Sequence, residues 1–348
     1  MLLKIKNRID RELKNYIQNI DRSYSLSKIS PLLYSNIKEF VSREGKRVRP
    51  ILFIIGYLGY SRKIPFGLYR TALSLELLHD FMLVHDDIID KSDTRRGKPS
   101  MHAMLNRALK GYKNIKFTGE DLTIVIGDVI YAMAVHSFLS IRENPQRKEA
   151  ALKKFAEAAF YTGSGEFIEL LAGLKGIDEI TEEEIYKIYD LKTSNYTFAA
   201  PLSIGAVLAG AGNKEIRKLY DFGVYLGRAF QIKDDILGMF SSYKKIGKST
   251  LTDLHESKKT ILIWHAYHNT NAKNKSAIKR IFSQYTANRN DLLKVRKIMT
   301  ESGTLDFAKN EISRLLNIAL AVNASTKMSA KYKNFISDYS REILKVNI

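Results

Sequence analysis

The sequence predicts an all-α protein. Apolar residues recur at helical spacing along most of the chain, Gly/Pro-bounded segments of alternating polarity are scarce, and only 6 prolines occur in 348 residues. Hydrophobic residues at 45% and charged residues at 27% are ordinary for a globular chain long enough to bury a sizeable core.

Residues 1–30 read as a basic amphipathic helix and 31–43 as a second, with Pro31 suited to a helix start. The hexapeptide GKRVRP, residues 45–50, then precedes the apolar run ILFIIGYLGY; its Lys46 and Arg49, between a glycine turn and a proline, have the chemistry to clamp an anion. A strongly apolar helix follows and ends in DDIID. Residues 99–119 read as a short helix and a loop, and 122–140 as an apolar helix carrying Gly127, Asp128 and His136. Asp128 in that run calls for a partner or a polar cavity, and His136 reads as a core histidine. Residues 150–171 are helical in pattern, with Glu166 and Glu169 three apart. Thr181 and Glu184 form a capping-box pattern, so a helix should start near 182 and run through Lys192 and Thr193. Residues 193–213 carry no charge and nearly suffice to span a bilayer. Their Thr193, Ser194, Asn195, Thr197 and Pro201 favour a helix buried in a protein core instead. A further apolar helix ends in FQIKDDILG, and residues 260–348 read as more helices. The expectation is one domain, 1–348, that includes the basic N-terminal helix and has no transmembrane segment.

The formal charge is +19, which favours anionic partners, although much of it reads as a solvated lysine-rich surface. Cysteine is absent, which excludes a disulfide framework and thiolate catalysis and fits a cytoplasmic, reducing compartment. The first residues mix acids with bases and lack the apolar centre of a signal peptide.

The chemistry gathers at residues 76–97, ELLHDFMLVHDDIIDKSDTRRG. Asp86 and Asp90 lie one helical turn apart, with Asp87 beside them, so three carboxylates enter one small volume. Hard oxygen ligands facing an open site suit Mg²⁺ bound together with substrate phosphates. Arg95 and Arg96 follow closely, and guanidinium groups fork onto phosphate oxygens. Alone, this stretch also fits a solvated acidic helix end, or a metal phosphohydrolase built on His79, His85 and Asp86. A second pair, Asp234 and Asp235, ends another apolar helix and is followed by Lys248, Asp253, Glu256 and Lys258. Two such pairs could share metal ions on one diphosphate.

Taken together, GKRVRP, ELLH, DDIID, RRG, GD, KT, FQIKDD and GK…D…K make the sequence closely resemble the trans-isoprenyl diphosphate synthases, or polyprenyl synthetases. Within that family it looks most like the archaeal-type geranylgeranyl diphosphate synthases. The resemblance implies a helical bundle around a deep central cavity, the isoprenoid synthase fold, with the aspartate motifs facing each other near its top. It implies several Mg²⁺ ions held by Asp86, Asp90 and Asp234, with Asp87 and Asp235 as supporting carboxylates. Lys46, Arg49, His79 and Arg96 match positions that bind isopentenyl diphosphate. Arg95, Lys192 and Lys258 match contacts to the allylic diphosphate, and Lys248 matches a base near both. Thr193, Tyr196 and Gln231 match positions that face oxygen dipoles toward the reacting carbons, and Thr193 and Gln231 also border the allylic diphosphate. Two positions depart from the common pattern: Gly238 stands where many relatives carry a third aspartate, and Glu166 stands where glutamine is common.

The resemblance further implies small-molecule diphosphate substrates, no nucleic-acid partner and a homodimer. Product length is assigned to Phe81 and Met82. A helical wheel places Met82 nearer the aspartate face. In the family, however, an aromatic residue at the earlier position alone, with an uninterrupted DDxxD, accompanies C20 products; a farnesyl or longer-chain synthase is the alternative. A non-catalytic partner subunit and the phosphohydrolase remain as distant rivals.

Overall fold

A computed structural model describes residues 1–95, 97–240, 254, 256–284 and 286–346. The all-α expectation holds: among the described residues the one sheet is a two-residue antiparallel ladder. By packing, the chain divides into two compact units, residues 1–152 with 204–210, and residues 153–203 with 211–348.

The first unit contains α1 (Leu2–Tyr24), α2 (Leu26–Ile29), α3 (Pro31–Val41), α4 (Val48–Leu58), α5 (Leu68–Ile89), α6 (Met101–Leu109) and α7 (Gly119–Phe138). Its centre is α5, which packs against α1, α4, α6 and α7. From Leu68 to Asp80 nearly every residue of α5 is buried, as expected of a helix apolar on all sides. α7 lies against it closely enough that a Cβ on Gly127 would sit 2.2 Å from Cε1 of His85. Any larger residue there would have to displace the His85 ring, next to the first aspartate. Asp128 and His136 correct the sequence reading: both are on the surface. His136 Nδ1 lies 3.1 Å from Tyr16 Oη.

α8 (Pro145–Gly173) starts earlier than its periodicity suggests. The second unit then holds α9 (Glu182–Tyr189), a π-helical segment (Asp190–Ala199) and α11 (Asn213–Phe240). α12 (Ile261–His268), α13 (Ala272–Phe282), α14 (Arg289–Glu301), α15 (Thr304–Ala324) and α16 (Ala330–Ile343) follow, while α10 spans Ala200–Leu208. The π segment and α15 both pack on α11. The capping box forms as expected, with Thr181 Oγ1 accepting from Glu184 N at 3.2 Å. The regular helix it starts ends at Tyr189, so the expected run through Thr193 is instead a wider π turn. For the same reason the uncharged stretch 193–213 is not one long helix. Among the described residues, the helix long and apolar enough to cross a membrane is α7. Ile126, Ile130, Ala134 and Phe138 of α7 are buried within the protein.

Candidate active site

The apolar pattern of α5 ends at Ile89, where Asp90 closes the helix with its N–H donating to the Asp86 carbonyl at 2.8 Å. This last turn brings a carboxylate oxygen of Asp86 and one of Asp90 within 4.8 Å of each other. Asp87, beside them, is fully buried. The chain then turns back through the ladder Thr94–Arg95 with Lys98–Pro99, in which Arg95 pairs with Lys98. Gly97, at φ 73°, takes the left-handed conformation that such a tight return needs. The ladder is too short to leave an alternating pattern in the sequence, yet it sets the aim of Arg95. The Arg95 Nε donates to Asp87 Oδ1 at 2.6 Å and Nη2 to Asp86 Oδ2 at 3.0 Å.

Burial pushes the Asp87 carboxyl up to about 6, against the pull of Arg95, and the Asp86 charge adds to the rise. Burial works against the charge of Arg95 too, but Asp87 and Asp86 together raise its pKa, so the guanidinium stays charged.

The GKRVRP segment divides its bases between structure and solvent. Arg47 is buried in a left-handed conformation, with Nε 2.8 Å from Asp10 Oδ1 and Nη1 2.8 Å from Glu76 Oε1. It ties α1 to α5. Lys46 beside it is exposed and Arg49 is half-buried, so both stand at the surface that Arg47 fixes. His79 is buried on α5. His85 lies with Nδ1 3.1 Å from the Phe81 carbonyl and its ring against Phe81 and Gly127. Among the described residues no group of three metal-ligating side chains includes a histidine. Phe81 and Met82 are both half-buried, and Phe81 packs on Tyr131 of α7 with ring centroids 5.1 Å apart.

In the second unit, a Cβ on Gly227 would lie 2.4 Å from Ser194 Cα. α11 and the π segment therefore meet backbone to backbone, and one turn later Gln231 reaches Thr193, whose hydroxyl donates to Gln231 Oε1 at 2.7 Å. Gln231 Nε2 donates to Asp235 Oδ1 at 2.8 Å, and the Tyr189 hydroxyl donates to Asp235 Oδ2. Tyr189 Oη also accepts from Ile261 N at 2.9 Å, and burial holds its pKa well above the ordinary value. Asp234, the neighbour of the anchored Asp235, is exposed.

The wide π turn leaves Lys192, Thr193 and Tyr196 half-buried while Ser194, Asn195 and Thr197 go inward. Lys192 Nζ lies 2.5 Å from Glu166 Oε2 and also engages Glu169. Lys258 Nζ lies 2.5 Å from Glu256 Oε2. Arg96 and Lys248 lie outside the described residues. Arg47 and Tyr189 carry no signal of their long-range partners in the sequence, and Glu166 and Glu169, visible there as a pair three residues apart, give no sign of their contact with Lys192.

The donor set fits Mg²⁺. Asp86 and Asp90 offer hard carboxylate oxygens at the reachable end of α5, and Asp87 Oδ2 is buried with no hydrogen-bond partner among the described residues.

The polyprenyl synthetase family model matches residues 30–299. The chain belongs to the polyprenyl synthetase family. The chain is 29% identical to the geranylgeranyl diphosphate synthase of Sulfolobus acidocaldarius, over 94% of this chain and 96% of that one. It is 31% identical to the geranylfarnesyl diphosphate synthase of Aeropyrum pernix, over 86% and 91%. The crystal structure of geranylgeranyl pyrophosphate synthase from Corynebacterium glutamicum, complexed with isoprenyl diphosphate and magnesium, superposes with a TM-score of 0.89. That match covers 100% of both chains at 23% identity and establishes the shared all-α fold. This polyprenyl synthetase is a prenyltransferase.

Proposed function

We propose that the chain condenses isopentenyl diphosphate with allylic diphosphates, with geranylgeranyl diphosphate as the main product. One observation carries the reading: the last turn of α5 gathers the carboxylates of Asp86 and Asp90 within 4.8 Å of each other with the Arg95 guanidinium on Asp86 and Asp87, and in the second motif Asp235 is anchored beside the exposed Asp234. The names of the archaeal relatives, which synthesise geranylgeranyl and geranylfarnesyl diphosphates, support the substrate class. The family match runs through both packing units, which supports treating them as one functional domain.

Asp86, Asp90 and Asp234 would hold Mg²⁺, which when bound neutralises charge on the allylic diphosphate as it departs. Arg95, Lys192, Lys248 and Lys258 add positive charge for the same leaving group, and this charge stabilises the transition state more than the ground state. The allylic carbon–oxygen bond breaks with its electron pair going to pyrophosphate. Lys46, Arg49, His79 and Arg96 hold isopentenyl diphosphate so that its double bond forms the new carbon–carbon bond, and orientation supplies much of the rate. The proton then lost passes to the departing pyrophosphate. The hydroxyl of Thr193, the phenol of Tyr196 and the amide of Gln231 offer oxygen dipoles to the developing cation, and the Thr193–Gln231 hydrogen bond keeps two of them together.

Phe81, braced by Tyr131, would form the floor that stops the chain at C20. A homodimer is supported by the exposed Phe160, Phe167, Leu170, Leu171 and Leu174 of α8 and the turn after it. The absence of cysteine fits work in the cytoplasm. The test is incubation of the purified chain with Mg²⁺, isopentenyl diphosphate and each of the C5, C10 and C15 allylic diphosphates, followed by chromatography of the dephosphorylated products. Geranylgeraniol from all three is expected. No condensation with any of them would overturn the proposal.

A further inference from the structure

The segment between α6 and α7 is unlike the rest of the first unit. Residues 110–118, KGYKNIKFT, lack regular secondary structure and are all exposed. Lys110, Lys113 and Lys116 recur every third residue without a single acid among them. Between them Tyr112 is 70% exposed, Ile115 41% and Phe117 45%. Large apolar side chains normally leave water when a packing partner exists, so three in nine residues beside three lysines form an amphipathic surface.

The base of this loop is firm. Asn106 Oδ1 accepts from Gly119 N at 2.7 Å, and Thr118 Oγ1 caps α7 by accepting from Asp121 N at 3.3 Å. The helices it joins belong to the aspartate-bearing end of the first unit. His102 at the start of α6 lies 3.6 Å from Asp93, three residues past Asp90, and Gly127 in the first half of α7 meets His85. The exposed loop is therefore tethered near the end of α5 where the reactive groups stand.

We infer that residues 110–118 dock the protein on the surface of an anionic lipid bilayer. Lysines attract the anionic headgroups, and Tyr112, Ile115 and Phe117 enter the boundary between headgroups and acyl chains. This chemistry favours a bilayer over single-stranded RNA: an aliphatic Ile115 has no ring to stack on a base, and the loop has no arginine. Docking would bring the end of the protein that makes an amphiphilic product close to the phase that dissolves its hydrocarbon. The inference rests on the loop and not on the assigned product, and its test does not use activity.

The test is co-sedimentation of the full chain with vesicles of phosphatidylglycerol and phosphatidylcholine in equal parts, and with phosphatidylcholine alone. Binding to the anionic vesicles is expected, with little to the neutral ones. The triple change Lys110→Glu, Lys113→Glu and Lys116→Glu should weaken it by at least about a hundredfold. Lys294→Glu with Lys309→Glu and Lys331→Glu alters net charge equally at exposed sites elsewhere, and should weaken it far less. Tyr112→Ser with Ile115→Ser and Phe117→Ser keeps every charge and should weaken it about tenfold or more. Equal losses from the two lysine sets would overturn the inference, since binding would then reflect net charge alone. Wild-type binding by the serine variant would overturn it too. So would tighter binding to a single-stranded RNA oligonucleotide that is lost in the same loop variants. Unchanged melting temperatures identify each variant as folded, as expected for changes confined to an exposed loop.

Discussion

The two aspartate pairs follow one plan with different anchors. In the first, Asp87 is buried against the cation of Arg95; in the second, Asp235 is buried against the neutral Tyr189 hydroxyl and Gln231 amide. A charged anchor cancels part of the acidity it fixes. The Tyr189 hydroxyl and the Gln231 amide fix geometry without adding a charge of their own. The first site therefore tolerates three crowded carboxylates, Asp86, Asp87 and Asp90, because Arg95 sits among them. In the second pair Gly238 follows where the first motif has its third aspartate, Asp90, and the contacts of Asp235 include the Tyr189 hydroxyl and the Gln231 amide.

The comparison breaks most sharply at the outward aspartates. Asp86→Ala and Asp234→Ala should each lower turnover in Mg²⁺ on the order of a thousandfold or more while leaving melting temperatures nearly unchanged. Near wild-type turnover from Asp234→Ala alone would mean that the first site suffices.

The anchors differ in stability and its pH dependence. The carboxyl of Asp87, at about 6, lies above its ordinary 3.8, so the folded state holds the proton more tightly than the unfolded state. As pH rises from 4 to 7 the group ionises in the folded protein and stability of the metal-free form falls, on the order of 2 kcal/mol from this group. Asp87→Asn should remove that slope in urea titrations with a chelator, so that its stability relative to wild type improves toward neutral pH. Tyr189→Phe should lower stability by about 1–3 kcal/mol, since it removes the buried hydrogen bonds that the hydroxyl makes to Asp235 Oδ2 and from Ile261 N. A flat difference between Asp87→Asn and wild type across this range would show that Arg95 fully offsets the burial.

The bases should separate the same way. Lys46→Ala and Arg96→Ala should raise the KM for isopentenyl diphosphate more than that for the allylic substrate, by an amount worth about 1.5–3 kcal/mol. Arg95→Ala should do the reverse and also destabilise the fold, because it abandons the buried Asp87; Lys46, being exposed, should not. Equal effects on both KM values would show the bases are wrongly divided.

The smallest effect asks whether the first region also sets product length. Phe81→Ala should give products longer than C20 and Met82→Phe should shift output toward C15, read by chromatography. Unchanged lengths in both active variants would sink the floor.

Much of this protein was open to reading from its sequence. Helical periodicity gave the all-α class, and the order of GKRVRP, DDIID, RRG and FQIKDD marked the family and both acidic pairs, because those features depend on neighbours three or four residues away. Tertiary structure decided what depends on distant partners. It set which aspartate of each pair turns inward, the division of labour between Lys46 and Arg47, the Phe81–Tyr131 contact and the surface positions of Asp128 and His136. It also turned the expected helix past Tyr189 into a π turn, where Gly227 draws α11 against the backbone at Ser194. The physical reason is common to all of them. Burial and hydrogen bonding of a side chain are settled by whichever group the fold brings opposite it, and local spacing does not encode that partner.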